Sequence, residues 1–110
     1  MNNKEFEKIL NKRIESIKAT LSKKGDEYSG NSKDRFYNFK RAAQITGESP
    51  EQALWGMALK HLVSVIDIIE KINGKKEYPS DNLLNEKFGD LINYIVLLEA
   101  MIKENKVKQN

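Results

Sequence analysis

Apolar residues recur at helical spacing over four stretches of the chain. In the first, from Lys4 to about Lys23, Phe6, Ile9, Leu10, Ile14, Ile17 and Leu21 share one face, with Lys, Glu and Asn opposite. Asn2 or Asn3 is placed to cap its start, and Gly25 follows it as a stop signal. The composition of 25–33, GDEYSGNSK, predicts a polar connector. A second, short helix is expected from Asp34 to Thr46, with Phe36, Phe39 and Ala43 as its apolar face and Gly47 closing it.

The third stretch opens on Ser49-Pro50-Glu51-Gln52, which combines an N-cap serine, a first-turn proline and a capping-box glutamine. Its helix is expected to run to about Ile72, with Asn73-Gly74 ending it. Residues 73–81 form a polar loop, and a fourth helix is expected from about Asn82 to Glu104. Both long helices are apolar around most of their circumference, which calls for burial on most sides. The resulting expectation is an all-α, four-helix, bundle-like fold. Its two long helices, about 49–72 and 82–104, form an antiparallel hairpin. So much apolar surface on so short a chain also predicts an oligomer, a dimer or tetramer with parts of helices three and four at the interface. One domain covers 1–104, and 105–110 form a frayed basic tail.

Polar residues interrupt the two long helices in matched stripes. Lys60, Ser64, Asp67 and Lys71 fall within one narrow sector of the third helix, and Glu86, Gly89, Asp90 and Asn93 within one sector of the fourth. A hairpin brings the second half of one beside the first half of the other, so the stripes face a common cleft. Carboxylates converging there repel unless a cation sits between them, and two or three such oxygens with water suit Mg²⁺. Lys60 and Arg35 then neutralise phosphate oxygens. His61, on the shoulder of the stripe, is a candidate proton carrier or phosphate contact, beside the plainer reading of a structural histidine. Arg35 and Asn38 flank the cleft from the second helix. Lys24 and Tyr28, in and before the first connector, join the ligand-binding candidates, beside the plainer reading of that segment as a polar link.

Composition narrows the chemistry. With 110 residues, 39% hydrophobic and 32% charged, the chain suits one helix-rich domain. It has no cysteine and one histidine, which excludes disulfides, thiolate sites, a cysteine nucleophile and a histidine-rich metal centre. Any metal is therefore a hard cation on carboxylates, Mg²⁺ or Mn²⁺. The net charge of +3 is scattered and forms no nucleic-acid-reading array. No apolar run approaches the ~20 residues of a membrane span, and the N-terminus carries no signal core. The expected location is cytoplasmic.

The run RFYNFKRAA, then TGESPEQALWGMALKHLVSVID, followed by EKFGDLINYIVLLEAMI, resembles small phage-encoded helical proteins. These are associated with the MazG-like nucleotide pyrophosphohydrolase superfamily and with phage nucleotide-modification-associated domains. The resemblance spans roughly Lys24 to Ile102. It implies a dimeric or tetrameric all-α protein of an infected bacterial host. In that superfamily two acidic pairs bind Mg²⁺ and the triphosphate of a (d)NTP, and water attacks between the α- and β-phosphates. Asp67 and Glu70 resemble the first pair, and Glu86 and Asp90 the second, which puts Glu70, Glu86 and Asp90 forward as metal ligands. Two departures stand out. The usual second pair is spaced E-x-x-D, whereas Lys87 stands three residues before Asp90, and Asp67 occupies a usual glutamate position. Nucleotide binding is thus the central expectation. Turnover, non-catalytic sequestration of a nucleotide signal of host defence, and a helical interaction module remain open beneath it.

Overall fold

The computed structural model describes residues 1–29 and 33–109, with side chains described for 1–23 and 33–108. Four α-helices pack together and no strand occurs among the described residues: α1 (Asn3–Ser29), α2 (Tyr37–Thr46), α3 (Pro50–Lys75) and α4 (Asp81–Gln109).

Local chemistry sets most of the boundaries. Asn2 and Glu5 cap α1 reciprocally: the Glu5 amide donates to Asn2 Oδ1 at 2.9 Å and the Asn2 amide donates to Glu5 Oε2 at 3.2 Å. The expected stop at Gly25 is not made, because α1 continues to Ser29. One glycine costs a helix only about 1 kcal/mol relative to alanine, which flanking turns can offset. Helix α2 starts three residues later than expected, because Asp34 instead makes a turn in which its Oδ1 accepts from the Phe36 amide at 2.9 Å. Gly47 ends α2 in the left-handed conformation, φ 73°, where a glycine carries no Cβ penalty.

The capping box of α3 forms as the sequence predicts. The Gln52 amide donates to Ser49 Oγ at 3.2 Å, and the Ser49 amide donates to Gln52 Oε1 at 3.1 Å. Asn73-Gly74, expected to end the helix, stays helical. The left-handed residue is Lys76, φ 54°, whose amide reaches back to Ile72 O while the Glu77 amide reaches Lys71 O. Helix α4 is capped by Ser80, whose Oγ accepts from the Leu83 amide, and it runs through the residues expected to fray, as far as Gln109.

The densest packing lies at one end of the molecule. Phe36, Phe39, Leu54, Leu97 and Met101 form a buried cluster, with Leu21, Met57, Tyr94 and Leu98 packed against it. This cluster joins the second half of α1, α2, the first half of α3 and the second half of α4. Leu54 and Met101 are fully enclosed, so truncating either to alanine removes about 2–5 kcal/mol. Toward the other end of α3 the buried residues are Val65 and Ile68, and the contact there is with the first half of α4.

Burial is uneven along α1. Its first ten residues, 3–12, are all exposed, Phe6, Ile9 and Leu10 included. By length and composition, Pro50–Lys75 is long and apolar enough to cross a membrane, which corrects the expectation that no segment would be. The polar stripe breaks the run of apolar letters in sequence, but it occupies only one sector of the helix and leaves the mean hydropathy high.

Candidate functional site

Away from the core cluster, α3, the 76–80 connection and α4 enclose a cleft of about 320 Å³. Ser64, Asp67, Ile68 and Lys71 form its α3 wall, spaced to share one helical sector. Leu83 and Lys87 form the α4 wall, four residues apart on one face. Glu77, Tyr78 and Pro79 close the end where the chain passes from one helix to the other. The capping chemistry positions these groups. The left-handed turn at Lys76 and the Ser80 cap fix a short connection, and Tyr78 projects from it, 78% exposed.

Ile68 and Leu83 give the cleft an apolar lining beside its charged side chains. Lys71 and Lys87 offer two ammonium groups from opposite walls, and Asp67 and Glu77 offer two carboxylates. Ser64 Oγ donates to the backbone oxygen of Lys60 at 3.2 Å, which leaves its lone pairs facing outward as an acceptor. Tyr78 supplies an aromatic ring at the rim, the type of surface on which a planar base stacks.

The remaining expected site residues are dispersed. Lys60 is exposed and does not line the cleft. His61 stacks on Tyr94, with ring centroids 4.7 Å apart and planes 28° apart, and its Nδ1 lies 3.7 Å from Asp90 Oδ2. This cluster faces the core side of α3, where Tyr94 also meets Phe39 edge to face at 6.5 Å. Asn93 contributes a buried Oδ1 that has no hydrogen-bond partner. Arg35 Nη2 donates to the backbone oxygen of Leu21 at 2.5 Å, which ties α1 to the turn before α2. With Asn38 of α2 it belongs to the core end of the molecule, not to the cleft. The side chains of Lys24 and Tyr28 lie outside the described residues.

The three expected metal ligands do not converge. Asp90 faces His61, Glu86 pairs with Lys87 at 3.7 Å, and Glu70 is exposed without lining the cleft. Among the described residues no group of three acidic or histidine side chains is placed to hold a metal ion. The donor set therefore does not fit a cation held jointly by Glu70, Glu86 and Asp90. On α4 the sector shared by Glu86, Gly89 and Asn93 turns in part toward α1: Arg13 donates to Asn85 O at 3.3 Å and packs over Gly89. Only Lys87 and Leu83, on the neighbouring sector, face the cleft.

Lys87, which in sequence marked a departure from a metal-binding pattern, becomes a cleft residue in space. Lys71 carried a sequence signal too, as the last member of the α3 stripe. Glu77, Tyr78 and Pro79 carried none, because a loop has no periodicity from which a facing direction can be read. No family model, curated protein or solved structure matches the chain.

Proposed function

We propose that the protein binds a small phosphate-bearing nucleotide in the cleft between α3 and α4, and that α3 and α4 form an antiparallel hairpin around it. The observation that carries this reading is the convergence of Ser64, Asp67 and Lys71 from one helix with Lys87 from the other on a cleft that Tyr78 also lines. Contacts at both ends support the hairpin: Glu51 meets Asn105 near one end, and Asp67 and Lys71 share the cleft with Leu83 and Lys87 near the other.

The chemistry follows from the charges. Lys71 and Lys87 receive phosphate oxygens, and the Ser64 hydroxyl donates to one once it turns from the Lys60 carbonyl. Asp67 and Glu77 accept from ribose hydroxyls or a base amino group, and Tyr78 stacks on the base. Two ammonium groups facing two carboxylates match a ligand of low charge, such as a nucleoside monophosphate or a cyclic nucleotide. A triphosphate would bring more negative charge than two lysines neutralise. A cleft of about 320 Å³ lies at the lower end of small-molecule sites, which also suits one nucleotide unit.

Binding without turnover is the reading favoured over Mg²⁺-dependent hydrolysis, because Asp90 lies beside His61, Glu86 pairs with Lys87, and Glu70 stands exposed outside the cleft. Sequestration of a nucleotide signal is compatible with such a cleft. The resemblance to MazG-like proteins supports the nucleotide class, and with it a phage origin and a cytoplasmic setting.

A calorimetric and thermal-shift panel of nucleotides and cyclic nucleotides, with and without Mg²⁺, tests the reading, with products separated by chromatography. The expected result is a stabilising shift with ligand recovered intact. Lys87→Glu should then weaken binding by about 10–100-fold, since one charge contact near a protein surface is worth about 1–4 kcal/mol. Absence of binding by any nucleotide would leave the interaction-module reading, and release of pyrophosphate would establish the enzyme.

A further inference from the structure

Around Tyr78 the cleft is poor in hydrogen-bond donors. The Glu77 amide is already bonded to Lys71 O at 3.3 Å, and the Leu83 amide to Ser80 Oγ at 3.2 Å. Pro79 has no N–H to offer. The side chains follow the same pattern. Lys71 and Lys87 are the cationic residues lining the cleft, and among the described residues no arginine, histidine or amide side chain joins them. The Tyr78 hydroxyl lies in the plane of its ring, so it is not aimed at a base stacked on the ring face.

With both lysines and Ser64 directed to phosphate, Asp67 and Glu77 are left to meet the rest of a ligand. A carboxylate accepts hydrogen bonds and donates none. Among the described residues no ion pair engages Asp67, Lys71 or Glu77, so these charges are not spent on one another. Nucleobases differ in what they offer such an acceptor. The pairing edge of guanine sets two donors side by side, N1–H and the N2 amino group. Adenine and cytosine each set one amino donor beside a ring-nitrogen acceptor. Uracil and thymine set one N–H between two carbonyls. A carboxylate therefore takes the guanine edge with both oxygens, and meets any other base with one bond beside an opposed acceptor.

We propose that the cleft selects guanine, an inference that rests on the nucleotide reading above. Glu77 accepts from N1–H and the N2 amino group of a guanine nucleotide that stacks on Tyr78 and is held by its phosphate at Lys71 and Lys87. Glu77 directly precedes Tyr78 in the chain, which places its carboxylate beside the edge of a base on that ring. Asp67 lies between Ser64 and Lys71 on the α3 wall, among the phosphate contacts, and is left to the ribose hydroxyls. Glu77 is exposed, so water competes for its oxygens. Selectivity for guanine over adenine is therefore about 10-fold, well short of the roughly 10⁴-fold or more that an enclosed polar site reaches.

Isothermal titration calorimetry of the full chain with GMP, IMP, AMP and the 3′,5′-cyclic forms of GMP and AMP tests the proposal. IMP keeps N1–H and lacks the amino group. The guanine nucleotide should bind about 10-fold more tightly than its adenine counterpart, with IMP between GMP and AMP. Glu77→Gln should bring the guanine and adenine nucleotides to within about 2-fold of each other, because an amide offers one donor and one acceptor and suits either edge. Asp67→Asn should weaken both by the same factor and keep the guanine preference. Helical circular dichroism should be unchanged in both variants. Equal affinities for guanine and adenine nucleotides, a preference for adenine, or a guanine preference that survives Glu77→Gln would overturn the guanine assignment and leave the nucleotide reading standing. Binding of none of the five nucleotides would overturn both.

Discussion

Replacing Lys40 with methionine tests how the core end of the molecule is held. Methionine keeps most of the aliphatic stem and removes the ammonium group. In the native fold that ammonium donates to Asp34 Oδ2 at 2.5 Å and lies 3.6 Å from Glu104 Oε2, an oxygen buried without a hydrogen-bond partner. Lys40 thereby links the turn before α2 to the last third of α4. The three side chains are a quarter to a third exposed, so each contact is worth more than an open surface pair and far less than an enclosed one. The two together contribute about 1–2 kcal/mol, which lowers the melting temperature by roughly 5–10 °C in a chain of this size.

The pH dependence fixes the assignment. The hydrogen bond from Lys40 holds the Asp34 carboxyl below its usual value, and the same bond raises the Lys40 ammonium above its own. A lowered carboxylate contributes stability that is present above its unfolded pKa of about 3.9 and is lost as pH falls through the folded value. A raised lysine contributes stability that is present below its unfolded pKa of about 10.4 and is lost as pH rises through the folded value. Urea unfolding of both proteins across pH should therefore show a constant gap between about pH 4.5 and 10 that narrows outside that window. A gap of the same size at pH 2, or no gap at pH 7, would refute the assignment.

Other substitutions report on single elements. Gly89→Ala adds a Cβ that meets Arg13 Nη1 at 2.6 Å and Arg13 Cζ at 3.7 Å. The close contact is the far end of a flexible side chain, so losing its 3.3 Å bond to Asn85 O costs about 0.5 kcal/mol. The gain of about 1 kcal/mol in helix propensity should outweigh it, and a melting temperature lowered by more than 5 °C would contradict this. Ser49→Ala removes the acceptor for the Gln52 amide and should cost about 1 kcal/mol in urea unfolding, whereas an unchanged midpoint would show that water replaces the cap.

Much of the fold was legible in the sequence because helix chemistry is local. The capping box at Ser49, the left-handed Gly47 and the apolar faces of α2, α3 and α4 all follow from residues within one or two turns of each other. The misplaced ends have a local cause as well. Gly25 and Asn73-Gly74 are stop signals that a helix can pass through, and whether it does so depends on the energy of the turns on either side. The polar stripe of α3 was also readable, and three of its members, Ser64, Asp67 and Lys71, do line the cleft.

The facing of α4 was not readable. Glu86, Asp90 and Asn93 share a sector with one another, but periodicity relates residues only to their own helix axis. Which sector meets α3 was decided by packing: Arg13 lies over Gly89, His61 stacks on Tyr94, and the Ser80 cap sets where α4 begins. That rotation turned Lys87 into the cleft and left Glu86 paired beside it. It also drew Tyr78 from a loop without periodicity to the rim. The sequence by itself determined four helices, the caps at Asn2, Gly47 and Ser49, and the polar wall of α3, because those depend on neighbours along the chain. Only the tertiary structure decided which residues oppose that wall, because that depends on how one helix rolls against another.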